Sequence, residues 1–431
     1  MGLTLCNFNF SDLKYKVDDF YSDVLQIYGF IFIVDFTLNH LNIKDVIMMA
    51  KSRFRTIVIS TLVLFCMCAA SEAAVFKCTY KGKSIFTDNP SLCISSNSIL
   101  KSTSSTASAS TPSKVPSSTK PTNSAVLTDA VFAPSSFWYT PIPLNTTLDS
   151  NSANYVKEFL RQKSLYYNNV EVNTYKYASP VYIAESNTPL VNVGFNNCQN
   201  KTWTDPTFVK MMTSVPVPSI AKQSAGGDSE MTIYQPSTDT LWEMWGTSQD
   251  SNGKWSACWG GQITQASKSA GLNLKNYGTT ATGLPFLGGQ ITAEELARGE
   301  IKHVIGISMV DLETWSIYSY PALRSDGYNP NNEANRIAEG RRFRLDPTIN
   351  VDNLAMSKTA KIIAKAAQKY GFVVWDKAGA ISIRAQNALS YKQLGKADPY
   401  PALYEYKPTY AVLNGFPWDK LQFLPMNYGK P

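Results

Sequence analysis

The feature that most constrains the fold is a segment, residues 95–127, that has no acidic or aromatic residue and is dominated by Ser, Thr and Pro. Such a composition supplies too little apolar surface to offset the entropy lost in ordering a core. We therefore expect a flexible or semi-extended linker. It separates a small module at residues 74–94 from a body at residues 128–431, which is long enough for one large domain or two fused layers.

A secretory signal is predicted ahead of the small module. Three basic residues within positions 51–55 lead into an apolar run, residues 56–70, that is too short to span a bilayer comfortably. Ser71-Glu72-Ala73 supplies small residues for cleavage. We expect residues 49–73 to be a signal peptide and residues 1–48 a start-site extension; a retained membrane anchor is the alternative. The mature protein would then be secreted or periplasmic in a bacterial envelope, with no stable membrane span.

Composition narrows the class of partner. The chain has a net charge of +7, and removal of residues 1–73 takes away six basic and seven acidic residues, which leaves +8. A mildly basic surface favours contact with anionic polymers, but scattered basic residues argue against nucleic acid. We expect a polysaccharide or cell-wall glycan as the partner. The sequence sets no oligomeric state.

Four cysteines remain after the predicted cleavage: Cys78, Cys93, Cys198 and Cys258. An even number in an exported chain favours two disulfides. The simplest of the three connectivities pairs Cys78 with Cys93 and Cys198 with Cys258, one bridge on each side of the linker. Because no CxxC motif is left and His303 is the single mature histidine, we expect no metal site and no cofactor.

The module at residues 74–94 has the pattern of a β-hairpin. Phe76, Cys78 and Tyr80 alternate with polar residues, and Lys81-Gly82 makes a turn. We expect a small hairpin clipped by a disulfide. The run VFKCTYKGKSIFTDNP resembles a module of unknown function that opens many exported proteobacterial proteins. The resemblance implies a bacterial envelope setting and no particular activity.

The body is predicted to be mainly β. Short strand-like runs recur between Gly, Pro, Asn and Asp, and they include residues 181–185, 231–235, 240–245, 303–310 and 314–320. Helical signals are fewer. Ser150 and Ser357 are candidate caps, and Thr292 with Glu295 forms a capping box. We expect a β-sandwich or jelly-roll body decorated by a few helices.

Three segments between Gly226 and Pro347 carry a second resemblance: GGDSEMTIYQPSTDTLWEMW, GLPFLGGQITAEELARGEIKHVIGI and EGRRFRLDP. They are similar to segments of an uncharacterised family of secreted bacterial proteins. The resemblance implies a common fold for the body and names no activity.

The strongest candidate for a functional site is the hairpin at residues 226–246. Matching its apolar residues across the two strands gives a register in which Glu230 and Glu243 are diagonal neighbours, with carboxylates roughly 5 to 8 Å apart. Glycoside hydrolysis uses two carboxyl groups at such a separation. We therefore expect catalytic roles for Glu230 and Glu243, assisted by Asp228 and His303. The alternative is that these carboxylates are ordinary solvent-facing side chains.

Aromatic rings offer stacking platforms for sugars, and arginines hold carboxylates by paired hydrogen bonds. Six side chains are therefore candidates for substrate binding: Trp242, Trp245, Trp259, Tyr234, Arg342 and Arg344.

Three functions follow from these patterns. The first is an exported carbohydrate-active protein, a glycoside hydrolase that acts on a cell-wall or extracellular polysaccharide. The second is a non-catalytic envelope or adhesion module that binds glycans. The third is a thiol peptidase, because Ser256-Ala257-Cys258-Trp259 resembles the Cys-Trp neighbourhood of papain-like peptidases; it requires a free Cys258.

Overall fold

The structure is a computed structural model that describes residues 76–80, 83–87 and 130–431. The predicted start-site extension, signal peptide and linker lie outside the described residues, as does Cys93 of the first predicted disulfide. Residues 76–80 and 83–87 form two strands that pair antiparallel. The domain boundaries that composition suggests stay predictions.

The strands that the structure describes are β1 (Phe76–Tyr80), β2 (Lys83–Thr87), β3 (Glu171–Asn173), β4 (Val181–Ile183), β5 (Leu190–Val191), β6 (Gly194–Phe195), β7 (Val215–Pro216), β8 (Met231–Gln235), β9 (Thr240–Trp245), β10 (Ser248–Gln249), β11 (Trp255–Ala257), β12 (Trp259–Thr264), β13 (Ile305–Met309), β14 (Arg342–Leu345), β15 (Phe372–Lys377), β16 (Ser382–Arg384) and β17 (Leu421–Phe423). The α-helices are α1 (Ser152–Leu165), α2 (Pro206–Met212), α3 (Phe286–Gly289), α4 (Ala293–Arg298), α5 (Lys358–Lys369), α6 (Leu389–Lys392) and α7 (Tyr400–Leu403). The expectation of a β-rich body with a few helices is confirmed.

The larger sheet is mixed. Its six strands follow the order β17-β14-β15-β13-β16-β3, with parallel pairs β13/β15 and β16/β3. One face carries Ile305 and Ile307 and shares a core with α1 and α5. Helix α5 suits this position because Ala360, Ile363 and Ala367 recur at the spacing that puts apolar side chains on one helical face.

The smaller sheet has the order β12-β9-β8-β4 and contains the predicted hairpin β8–β9. Met231 lies opposite Met244 and Ile233 opposite Trp242, so the predicted register is confirmed. These apolar side chains share a second core with Phe208 and its neighbours in α2. Strand β4 adds to β8 in parallel.

A third core joins the two sheets. Leu241 and Ile263 of the smaller sheet lie in one buried cluster with Val373 and Trp375 of the larger sheet and with Trp138. The inner faces of both sheets therefore share apolar contacts, while α1, α5 and α2 serve the other cores. The parallel strand pairs differ from the antiparallel ladders of a jelly roll.

Side-chain caps confirm two helix starts. The Thr292 hydroxyl accepts a hydrogen bond from the Glu295 N–H, and the Glu295 carboxylate accepts one from the Thr292 N–H, so the capping box of α4 is present. Ser357 accepts from the Ala360 N–H at the start of α5, and Gly371 follows that helix with a φ of +74°.

Two predictions of local structure are wrong. Helix α1 begins at Ser152 with Asn151 at the N-cap position, so Ser150 does not cap it, and the Ser152 hydroxyl accepts from the Phe423 N–H of β17. Residues 314–320 form turns and irregular backbone, not a strand, and Trp315 within them is exposed. The contact with β17 at the start of α1 and the turns at residues 314–320 outweigh the local sequence preferences on which the two predictions depend.

Candidate functional site

Residues of both sheets line a cleft of about 1160 Å³. Asp228 and Glu230 reach it from the segment that leads into β8, and Trp245 reaches it from the end of β9. The larger sheet contributes Asp376 from β15 and Arg384 from β16. A volume of this size holds more than a single small ring.

Arg384 links the two sheets at the cleft. Its side chain is 4% exposed, and its two terminal nitrogens contact Glu230 Oε1 at 2.5 Å and Asp376 Oδ2 at 3.4 Å. The guanidinium also lies 4.2 Å from the ring centroid of Phe286. Arg384 therefore fixes the positions of two carboxylates that come from different sheets.

Glu230 is a buried acid with one free oxygen. The residue is 1% exposed, and its Oε2 has no hydrogen-bond partner among the described residues. Burial raises the pKa of Glu230, and the charge of Arg384 opposes that rise. A buried oxygen left without a partner costs about 1 to 3 kcal/mol, so this atom is a ready acceptor or, when protonated, a donor.

Asp376 is the acid on this network that keeps access to the cleft. Its side chain is 18% exposed, and its Oδ1 accepts from the Ala281 N–H at 3.0 Å. Burial raises the pKa of Asp376 to about 7, and the negative charges of Asp326 and Glu230 add to the rise while Arg384 opposes it. Asp376 can therefore give or take a proton near neutral pH.

Asp228 is held by an aromatic neighbour. The Trp245 indole N–H donates to Asp228 Oδ1 at 3.0 Å, and the Asp228 carbonyl accepts from the Gly246 N–H. Both side chains line the cleft. Asp228 and Trp245 of the hairpin are therefore in contact, and both face the cleft together with Glu230.

A second buried acid lies behind the cleft. Glu339 is fully buried, accepts from the Asp326 N–H at 3.0 Å, and leaves its Oε1 without a partner among the described residues. Burial, together with the charges of Asp326 and Asp376, raises the pKa of Glu339 to about 8. Asp326 itself lines the cleft and is exposed.

An aromatic stack forms one wall of the cleft. The Trp259 ring is nearly parallel to the rings of Phe208 and Tyr277, with centroid distances of 5.2 and 5.5 Å. The ammonium of Lys201 lies 3.6 Å from the Trp259 ring centroid and 5.6 Å from that of Trp203. Trp259 lines the cleft, but its neighbours cover most of its surface, since the residue is 8% exposed.

Glu243 does not line the cleft, although it lies opposite Thr232 in the predicted register of β8 and β9. Its carboxylate accepts from the N–H groups of Phe286 and Leu287 at the start of α3 and from the Thr279 hydroxyl. Burial raises the pKa of Glu243 to about 7, and these hydrogen bonds oppose the rise. The structure therefore gives Glu243 a connecting role and does not bring the Glu230/Glu243 pair together in an accessible site.

His303 lies away from the cleft. Its ring contacts Glu295 Oε2 at 3.3 Å and the Val304 carbonyl at 2.8 Å, and the residue is 7% exposed. Burial alone would lower the pKa of His303, but the Glu295 charge and the hydrogen bonds raise it overall. The histidine therefore connects the capping box of α4 to the start of β13.

Four candidate substrate-binding side chains also lie outside the cleft lining. Trp242 donates from its indole to the Met211 carbonyl, and Tyr234 donates to Asp239. Arg342 donates to the carbonyl of Tyr370, and Arg344 donates to Gln422 and to the carbonyls of Pro143 and Leu144. These hydrogen bonds direct the four side chains into the fold and away from the cleft.

Cys198 and Cys258 form a disulfide, which confirms the second predicted bridge. The thiol-peptidase interpretation needs a free Cys258 and is therefore wrong. Among the described residues, no group of three or more His, Cys, Asp or Glu side chains is arranged to hold a metal ion. In the same part of the chain no helix is long and apolar enough to cross a membrane.

Three residues of the cleft are not among the sites predicted from the sequence. Asp326, Asp376 and Arg384 carry no motif, and they become a site only through contacts over long sequence distances. One signal was available, since Asp376-Lys377 ends the apolar run Phe372–Trp375 and polar groups at strand ends often face ligands.

No family model, no curated protein and no solved structure matches the chain. The two resemblances described for the module and the body therefore stay predictions. What the protein does has to be argued from the cleft itself.

Proposed function

We propose that the protein is a carbohydrate-active enzyme that hydrolyses glycosidic bonds of a polysaccharide in the cleft. The observation that carries the proposal is the pair of accessible carboxyl groups, Asp228 and Asp376, on an aromatic-lined cleft. Asp228 lies in the segment before β8 and Asp376 in β15, and the two have different surroundings. Glycosidases likewise use two carboxyl groups whose environments assign them different roles.

Asp376 is the candidate general acid, because a carboxyl group with a pKa of about 7 still holds a proton at neutral pH. It would protonate the oxygen of the leaving sugar. Asp228, oriented by the Trp245 indole, would act as nucleophile or activate a water molecule. Arg384 and Glu230 act through Asp376, so they are positioning residues in this scheme.

The pair replaces Glu230 and Glu243 of the sequence-based hypothesis. Glu243 is occupied by three hydrogen-bond donors outside the cleft, and Glu230 lies beneath the accessible surface. Trp245 keeps its proposed place beside a sugar, since it is half-buried and lines the cleft.

Two finer expectations belong to the same proposal. The shared inner core supports a sandwich of the two sheets, although its parallel pairs set it apart from a jelly roll. The Cys198–Cys258 bridge supports an oxidising location, secreted or periplasmic, for a protein that works on an envelope glycan.

The test is hydrolysis of a panel of cell-wall and extracellular polysaccharides by the purified protein, with Asp376→Asn and Asp228→Asn run in parallel. We expect each substitution to lower kcat/KM at least about 100-fold, the typical share of one catalytic acid or base. Glu300→Gln is the matched control, because Glu300 is an exposed carboxylate that does not line the cleft. Its activity should equal that of the parent.

Circular dichroism and urea unfolding must show that every variant is folded. Glycan binding that survives without any turnover by the parent would reject hydrolysis and favour a non-catalytic glycan-binding module. Turnover that neither aspartate substitution lowers would reject this pair.

A further inference from the structure

The cleft has a sign of charge opposite to that of the whole chain. Six carboxyl side chains but only four cationic side chains line it, whereas the chain carries a net charge of +7. A cleft whose walls carry one excess sign concentrates ligands of the other sign. The excess of carboxyl groups in the cleft therefore favours a positively charged ligand, which the net positive charge of the whole chain would repel.

Two of the four cations are not available to a ligand. Arg384 is already paired with Glu230 and Asp376. Arg324 directs its nitrogens to backbone carbonyls of the loop at residues 276–281, where it makes four hydrogen bonds. The charge of Arg324 still attracts Asp326 and Asp376, so four positive charges face six carboxyl groups, but its N–H donors are already used.

A buried acceptor points to the same conclusion independently of the charge balance. Glu230 lines the cleft, is 1% exposed, and keeps Oε2 without a hydrogen-bond partner among the described residues. This oxygen lies just beneath the lining, so it favours a positively charged group in the cleft through its partial negative charge.

The aromatic wall already holds a cation from the chain itself. The Lys201 ammonium lies 3.6 Å from the ring centroid of Trp259 and faces Trp203 at 5.6 Å. Such a distance is within the range of cation–π attraction. The wall is therefore compatible with an ammonium group, and Lys201 occupies the place that a ligand ammonium would take.

We propose that the cleft binds a glycan with free amino groups, that is, a polymer of amino sugars from which N-acetyl groups are missing. This inference rests on the proposed function, because it names the substrate class of the same cleft. A ligand ammonium pairs with the carboxylate of Asp326, while Asp376 keeps the proton that its role as general acid requires, and another ammonium displaces Lys201 from the aromatic wall.

The experiment measures binding of two tetrasaccharides to the full chain by calorimetry at about pH 6.5, below the pKa of about 8 of an α-amino group, which is the nearer reference for an amine beside electron-withdrawing oxygens. One is the glucosamine tetramer and the other its fully N-acetylated counterpart, so that charge is the main difference. We expect the glucosamine tetramer to bind at least about tenfold more tightly, and added salt to reduce that preference.

Two variants should change the affinity in opposite directions. Asp326→Asn removes an exposed carboxylate and should weaken binding of the glucosamine tetramer about fivefold, the effect of roughly one surface charge. Lys201→Met removes the competing ammonium but keeps an apolar stem, so it should strengthen that binding by a similar factor. The readout is the ratio of the two affinities, which Asp326→Asn should lower and Lys201→Met should raise, because the acetylated tetramer has no charge to lose or gain a partner. A loss of folding cannot imitate the gain expected for Lys201→Met.

Equal or weaker binding of the glucosamine tetramer overturns the inference, as does its failure to respond to Lys201→Met. Hydrolysis of neutral or acidic polysaccharides alone would overturn the inference and leave the proposed hydrolysis standing. Tight binding of the glucosamine tetramer with no turnover of any glycan would retain the inference and reject hydrolysis. Absence of binding to either tetramer rejects the inference directly.

Discussion

Two carboxyl groups in this protein share a pKa of about 7 and differ in what surrounds them. Glu243 is enclosed by three hydrogen-bond donors, two of them backbone N–H groups of α3. Asp376 has one backbone donor and one arginine and keeps part of its surface exposed to the cleft. A raised pKa alone therefore does not mark a catalytic acid, and access to the cleft decides between them.

Replacing Glu243 by glutamine tests this distinction. A glutamine amide has one acceptor oxygen, and its NH2 group would face the N–H donors of Phe286 or Leu287. We expect the free energy of unfolding to fall by about 1 to 3 kcal/mol, as for other buried groups that lose a partner. Turnover per folded molecule should stay within about twofold of the parent. Urea unfolding and kcat measured on the same samples check both statements.

If Glu243→Gln lowered kcat as much as is expected for Asp376→Asn, Glu243 would have a catalytic role. The isosteric change keeps the volume of the side chain, so a cavity would not explain such a fall.

At the scale of elements, the disulfide attaches one wall of the cleft to the smaller sheet. Cys198 lies three residues before Lys201, and Cys258 lies next to Trp259 at the start of β12. The bridge thus holds the lysine against the indole that it contacts. The loop it closes spans 60 residues, for which chain entropy predicts about 4 kcal/mol of stabilisation.

The double substitution Cys198→Ser and Cys258→Ser should therefore have two effects. We expect a loss of about 2 to 4 kcal/mol in the free energy of unfolding. We also expect weaker binding of glycan, because Trp203, which lines the cleft, loses its fixed position. Urea unfolding and calorimetric titration measure these effects. The parent protein treated with a thiol reductant is the matched comparison. Undiminished binding by the double variant would show that the wall is held without the bridge.

At the scale of the whole molecule, buried ionisable groups set how stability depends on pH. Folding raises the pKa of Glu243 and Asp376 to about 7 from 4.5 and 3.8, that of Glu339 to about 8 from 4.5, and that of His303 above 6.5. A group with a raised pKa binds its proton more tightly in the folded state. Its contribution to stability is complete below the unfolded pKa and is lost as pH rises through the folded pKa.

We therefore expect the free energy of unfolding to decline between about pH 5 and pH 8. Glu158, Glu295 and Asp311 have lowered pKa values, so they act in the opposite sense and lose their contribution as pH falls below about 4.5. Urea unfolding at a series of pH values gives the profile. Glu339→Gln, which mimics the protonated acid, should flatten the decline, and a parent whose stability rises towards pH 8 would contradict the prediction.

Some of this molecule could be predicted from its sequence. The register of the β8–β9 hairpin and the capping box of α4 depend on residues that are close in the chain, so alternation and spacing suffice. The cleft could not be predicted in the same way. Arg384 and Glu230 are 154 residues apart, and only the packing of two sheets around a common core brings them together.

The same limit explains the choice of the wrong carboxylate pair. Strand alternation places Glu243 on the face of Glu230, but it gives no information about the loop at residues 276–287 that covers Glu243. Loop placement depends on contacts such as those of Arg324, which no local pattern encodes.

Because Lys201 contacts Trp259, tryptophan fluorescence can report whether a ligand occupies the cleft. A full positive charge 3.6 Å from the indole sets a local electric field to which the energy of the excited ring responds. When that charge leaves or is exchanged for a neutral group, the emission of Trp259 shifts most, and that of Trp203, whose ring centroid lies 5.6 Å from the same ammonium, shifts less. The difference in fluorescence between the parent and Lys201→Met thus supplies the reference spectrum for an empty aromatic wall, and it needs no added dye.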